Sequence, residues 1–179
     1  MNKNTYLCGV GSVFTRDTSG EIVDIKGVDI SSLEEGSAVL NYEHDNSKTE
    51  SILGRIIEAK KIYKKEDCNN ELHLKYFKYN NEIPYIFIKA MLYDGSGHRG
   101  ALAAASIMKA EAELCKNDST KKPLMGFSIE GSKLEKDEND INRCIVRKIA
   151  LTATPANRAC IAEIYEENSK PVNKKVSIM

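Results

Sequence analysis

An excess of charge of either sign is missing from this chain. Its 179 residues carry 26 Lys and Arg against 26 Asp and Glu, a formal net charge of zero. That balance argues against a strongly basic nucleic-acid binder and against a polyanion mimic. Long apolar runs are missing too: no stretch approaches the roughly 20 apolar residues of a membrane span, and the opening MNKNTYLCGVGSVF lacks the apolar core and small-residue cleavage site of a secretion leader. The five cysteines, Cys8, Cys68, Cys115, Cys144 and Cys160, include no CxxC pair. This disfavours a cysteine zinc site and suits reduced thiols in a cytosolic compartment. No GxxxxGK[ST] or GxGxxG phosphate loop is present, and no internal repeat. What remains is 41% hydrophobic and 29% charged, an ordinary globular balance with enough chain for one core.

Local patterns predict many strands and one main helix. Residues 5–15 read as a strand, DTSG (17–20) as a turn and GEIVDIKG as a returning strand. SSLEEG (31–36) suggests a helical turn capped by Ser31 or Ser32. In SAVLNYEHD, Ala38, Leu40, Tyr42 and His44 share one face at period two. Residues 52–63 are β-rich but ambiguous, and 64–82 read as a polar loop with strand character at LHLKYFKY. PYIFIKAMLY (84–93) is a strand. HRGALAAASIMKAEAELCK (98–116) is a helix, with Ala103, Ile107, Ala110 and Leu114 on one side, Ser96 placed to cap it and Lys116 at its C-terminal end. Two further strands, LMGFSIEGSKLE and INRCIVRKIALTATP, flank the acidic turn 136–140, and ACIAEIYE (159–166) is a last strand or short helix. These elements make one domain over 1–166, a β-rich α+β barrel or sandwich with a flanking helix. The polar tail 167–179 is expected to be mobile and dispensable for folding.

The candidate chemistry centres on GFSIEGSK, residues 126–133. Ser128 reads either as a small polar strand residue or as a nucleophile, with Gly126 leaving room for a substrate backbone. A serine hydroxyl needs a base, for which histidine is the usual choice. His73 reads as a solvent-facing strand residue and His98 as a surface or capping residue. His44 ends an apolar face beside the polar loop DNSKTES, a place where catalytic groups often stand. Spacing alone does not distinguish a Ser–His pair from chance. A metal site on His44 and Asp45 lacks a second histidine at helical spacing, and Cys144 reads as a buried strand cysteine rather than a nucleophile.

The order of four segments resembles that of the head maturation (prohead) proteases of tailed bacteriophages, relatives of the herpesvirus assemblins. YEHD followed by ILGR resembles their histidine segment. PYIFIKAMLYD with the Ala-rich helix resembles their central strand and helix. GFSIEG resembles their nucleophile segment, and IALTATPAN (149–157) the strand that closes the set. The resemblance covers roughly residues 35–165.

It implies a compact β-barrel with flanking helices, Ser128 as nucleophile and His44 as base. It also implies scaffold, major capsid protein and the chain itself as substrates, inside a prohead assembling in the host cytoplasm. Homodimerisation follows by the same analogy, with no cofactor, nucleic acid or membrane involved. Arg158, just past Pro155-Ala156-Asn157, is the nearest match to the oxyanion arginines. One position departs: where relatives carry an acid or histidine, seven residues before Pro155, this chain has Lys148. Lysine cannot accept a hydrogen bond from imidazole. That departure keeps open an inactive scaffold component of the same fold. The residue orienting His44 is then Glu130, which shares Ser128's strand face with Cα atoms roughly 6.5–7 Å apart, or Thr152, or Asp45 on the less favoured opposite face, or no side chain at all.

Overall fold

A computed structural model of the protein describes residues 3–166. The tail 167–179, for which self-cleavage is expected, lies outside the described residues. Nine strands form one mixed sheet: β1 (Tyr6–Val13), β2 (Ile22–Val23), β3 (Val28–Asp29), β4 (Val39–Tyr42), β5 (Ile52–Ile62), β6 (Tyr85–Leu92), β7 (Gly126–Asp137), β8 (Asp140–Thr152) and β9 (Ala162–Tyr165). The helices are α1 (Ser31–Glu34), α2 (Glu71–Tyr79) and α3 (Arg99–Asn117). The sheet runs β2-β8-β4-β5-β6-β1-β9, with β3 and β7 also on β8. Its ladder has two ends, so the expected barrel is not a hydrogen-bonded ring. The ends do approach each other: β7 packs against β1, and Ala162 N donates to Met125 O at 3.0 Å just before β7 begins.

The strand β6 is apolar but for Lys89 because both its faces are largely covered. Ile86, Ile88, Ala90 and Leu92 enter the main core with Leu40, Phe127, Ile149 and Leu151. Tyr85 and Phe87 point the other way, into a second cluster closed by Tyr76 and Phe77 of α2. This explains why ELHLKYFKY is a helix and neither loop nor strand. Asn70 caps it by accepting from His73 N at 2.9 Å, and the buried His73, Tyr76 and Phe77 stand at helical spacing. His73 is therefore buried, not solvent-facing. Its Nε2 lies 2.9 Å from Glu58 Oε1, and burial lowers its pKa despite that partner.

Three other details differ from the sequence reading. The helix α3 is capped by His98, whose Nδ1 accepts from Ala101 N at 3.2 Å, while Ser96 turns back onto Tyr93 O. The side of α3 that faces the core carries Ala101, Ala104, Ala105 and Met108, and Ala103, Ile107, Ala110 and Leu114 are exposed. The helical turn α1 has no side-chain cap; Ser31 N donates instead to Asp29 at 2.9 Å. The ambiguous stretch 52–63 is strand, paired with β4 and β6. All five cysteines are free thiols.

Candidate active site

The site follows from sheet register. β8 lies between β4 and β7, pairing Asn41 and Ser128 with the same residue, Ala150. Two residues along β7, Glu130 faces Lys148; two residues back, Gly126 faces Thr152. Side chains alternate across a strand, so Lys148, Ala150 and Thr152 stand on the face opposite the core residues Ile149 and Leu151. Ser128 and Glu130 share that face, since Phe127 lies in the core. Asn41, Ser128 and Thr152 are all buried although polar, an unusual concentration that marks the face.

His44 reaches this face from a turn; the strand placement expected from period two would have set it on the opposite face, with the core residues Ala38 and Leu40. β5 bulges at Leu53, opposite Leu40 and Asn41, and β4 ends at Tyr42. Glu43 and His44 then take φ of +50° and +59°, and Asp45 N donates to Tyr42 O at 2.9 Å, closing a two-residue turn. Left-handed backbone on two successive non-glycine residues costs about 1–3 kcal/mol each unless the surroundings hold it. Here they do. The Glu43 carboxylate accepts from Thr152 Oγ1 at 2.6 Å and from Ala153 N at 2.9 Å. Thr152 thus anchors the turn that carries His44 and does not touch the imidazole.

His44 Nε2 lies 3.1 Å from Ser128 Oγ, and His44 Nδ1 lies 3.4 Å from Glu130 Oε2. If Nε2 accepts the serine proton, Nδ1 bears the other ring proton and donates it to the carboxylate. The imidazole is half-exposed, with 43% of its side chain open, while Ser128 is 8% exposed. Glu130 is itself fixed. Asn41 Nδ2 donates to its Oε2 at 2.9 Å and Asn46 Nδ2 to its Oε1 at 2.8 Å. Burial pushes the carboxyl upward, but the bonds from Asn41, Asn46 and His44, with the Lys148 charge, outweigh it and hold Glu130 below its ordinary value. Asp45 is engaged elsewhere: it accepts from Ser47 N, Ser47 Oγ and Ser51 Oγ, which holds its carboxyl down at about 2. Lys148 Nζ donates to Asn46 Oδ1 at 2.8 Å and stays 3.9 Å from Glu130 Oε1.

A cleft of about 230 Å³ opens beside Ser128, between β7 and the end of β1. Its floor is apolar, with Val23, Phe127, Ile129 and Val146, and its rim carries Asp17, Glu21 and Lys133. Gly126 has a different task from the one expected. A Cβ there would meet Cys160 O at 2.4 Å, so the glycine admits the 155–160 segment to the start of β7 and is not there to admit a substrate. Asn157 ties that segment to the end of β1 by donating to Val13 O and to Thr15. Arg158 is exposed and lines a separate hollow with Thr15, Arg16 and Thr18. It is not among the residues lining the cleft beside Ser128. Asn41, Asn46 and the Thr152–Glu43 pair were missed by sequence reasoning. The buried, mid-strand Asn41 was the one visible signal, because an amide inside an apolar strand needs a partner.

No protein-family model matches the chain, and no curated protein does. Among solved structures, the crystal structure of KSHV protease in complex with a hexapeptide phosphonate inhibitor superposes with a TM-score of 0.44 at 10% identity. The superposition covers 92% of this chain and 66% of that one.

Proposed function

We propose that the chain is a serine endopeptidase using Ser128 as nucleophile, His44 as general base and Glu130 as the group that orients the base. The observation that carries this reading is the line Ser128 Oγ, His44 Nε2, His44 Nδ1, Glu130 Oε2, with steps of 3.1 Å and 3.4 Å. In this reading Ser128 Oγ attacks a peptide carbonyl while His44 takes its proton. The imidazolium, supported by Glu130, then protonates the leaving amine, and water hydrolyses the acyl-enzyme by the same route in reverse. The cleft along β7 holds the substrate chain, its apolar floor suited to aliphatic side chains.

The biological setting rests on the resemblance in YEHD, GFSIEG and IALTATPAN: maturation of a tailed-phage head, with scaffold and capsid proteins cut inside the prohead. Co-expression with the scaffold and capsid proteins of the same genome tests it. Mass spectrometry is expected to find both cut in the presence of wild-type chain and intact with Ser128→Ala. Uncut scaffold and capsid beside a chain that a serine-directed phosphonate still labels would leave a protease with other substrates. The inactive-scaffold reading drew on Lys148. It loses that support if Glu130 does the work that Lys148 cannot.

Thr152 supplies a graded test of the turn. Thr152→Val removes the hydroxyl that holds Glu43 but keeps the volume. The backbone bonds from Asp45 N to Tyr42 O and from Glu43 N to Leu151 O remain. Phosphonate labelling of Ser128 is expected to slow about 3- to 10-fold, the worth of one hydrogen bond to a charged group at a partly exposed site. A wild-type labelling rate would mean the Thr152–Glu43 contact serves stability alone.

A further inference from the structure

We propose that Lys148 and Asn46 are positioning residues for the same reaction, Lys148 setting the orientation of the Asn46 amide and Asn46 thereby holding Glu130 against His44. The inference rests on the Ser128–His44–Glu130 reading and extends it to two residues that touch no substrate.

The argument starts from the amide. An asparagine side chain has one accepting end and one donating end, which differ only in the partners they find. Asn46 Oδ1 receives Lys148 Nζ at 2.8 Å and Asn41 Nδ2 at 3.0 Å, both donors. Lysine is a donor only, so it forces the oxygen toward itself. The amide nitrogen must then face the other way, where it donates to Glu130 Oε1 at 2.8 Å and to His44 O at 3.2 Å. One side chain thus ties the orienting carboxylate to the backbone of the base. Reversed, the amide would set its oxygen against a carboxylate and a carbonyl, and its nitrogen against an ammonium.

The direct Lys148–Glu130 separation of 3.9 Å, between partly exposed groups, is worth little by itself. The contribution of Lys148 runs through Asn46. Other charges nearby are already committed. Glu43 is bound by Thr152 and Ala153, Asp45 by Ser47 and Ser51, and Arg147 donates to Ser132 Oγ at 2.6 Å. Lys148 is therefore the cation that faces the Glu130 carboxylate in the described site. A lysine facing Glu130 across β7 and β8 serves the carboxylate that does the orienting, in place of contacting the imidazole.

The test measures the rate at which a fluorophosphonate labels Ser128 in the full chain. Lys148→Met is expected to slow labelling about 10- to 100-fold, and Lys148→Arg, which keeps a donor-only cation, to stay within about 3-fold of wild type. Asn46→Asp, which sets a second carboxylate against Glu130, is expected to slow it at least as much as Lys148→Met. In a Glu130→Gln background, Lys148→Met is expected to add no further loss, because its route to His44 is already cut. A carbon-13 titration of the Glu130 carboxyl should move upward in Lys148→Met, and circular dichroism melts identify any variant that fails to fold. Wild-type labelling by Lys148→Met, or an undiminished further loss in the Glu130→Gln background, overturns this proposal while leaving the Ser–His reading intact. A folded wild-type chain that the probe never labels overturns both.

Discussion

Ser128→Ala is expected to abolish phosphonate capture and substrate cleavage while leaving the melting temperature within about 4 °C of wild type. The serine is buried beside His44 but contributes only one hydroxyl, and an alanine fits its strand position without strain. Loss of the nucleophile should lower turnover by roughly 10⁴-fold or more. The base calls for more care. His44 sits at a φ of +59°, a backbone that alanine tolerates poorly and asparagine tolerates well. His44→Ala therefore mixes loss of the base with turn strain, and His44→Asn separates them. Both are expected to match Ser128→Ala in turnover, and the His44→Asn/Ser128→Ala double variant should be no worse than either single one, because the pair acts as a unit. Cleavage by Ser128→Ala at the wild-type rate would sink the protease reading outright.

What the sequence carried and what it did not divide along a physical line. β6 was legible as an apolar, β-branched run, and the β7–β8 hairpin as two strand segments around a short acidic turn, which the structure narrows to Glu138 and Asn139. Glu130 was legible beside Ser128 because period two is a local property of a strand. α2 was not, since Leu72, Leu74 and Tyr76 alternate as a strand would, and only the packing of His73, Tyr76 and Phe77 under β6 selects the helix. The apolar stripe of α3 misled for a related reason. An alanine-rich helix offers several apolar faces, and the sheet chose the one with Ala101, Ala104, Ala105 and Met108. The position of His44 was not legible: period two put it on the face of Ala38 and Leu40, which is the core face, and the left-handed turn after Tyr42 carries it instead to the opposite face, with Ser128. Asn41, Asn46 and Lys148 meet only through the register of β4, β8 and β7, which no local pattern encodes.

Glu130→Gln is expected to lower turnover about 10²- to 10⁴-fold while Ser128 and His44 stay in place. Three donors point at this carboxylate: Asn41 Nδ2, Asn46 Nδ2 and His44 Nδ1. A glutamine has one accepting oxygen, so its NH2 group must oppose either Asn46 or the Asn41–His44 pair. The amide also offers no negative charge to an imidazolium. The variant should thus be destabilised by about 1–3 kcal/mol at neutral pH, the cost of donors left without acceptors. The pH dependence gives a second reading of the same group. The carboxyl of Glu130 lies below its ordinary value of 4.5 in the folded chain, so its ionised form favours folding. That contribution is fully present above the ordinary value and is lost as pH falls through the lower, folded one. Glutamine does not titrate, so the stability gap between wild type and Glu130→Gln should narrow in acid. Chemical denaturation at a series of pH values from about 3 to 7 measures that gap. Near-wild-type turnover of Glu130→Gln across pH 6–8 would remove Glu130 from the reaction and leave it the structural task of joining Asn41, Asn46 and the turn.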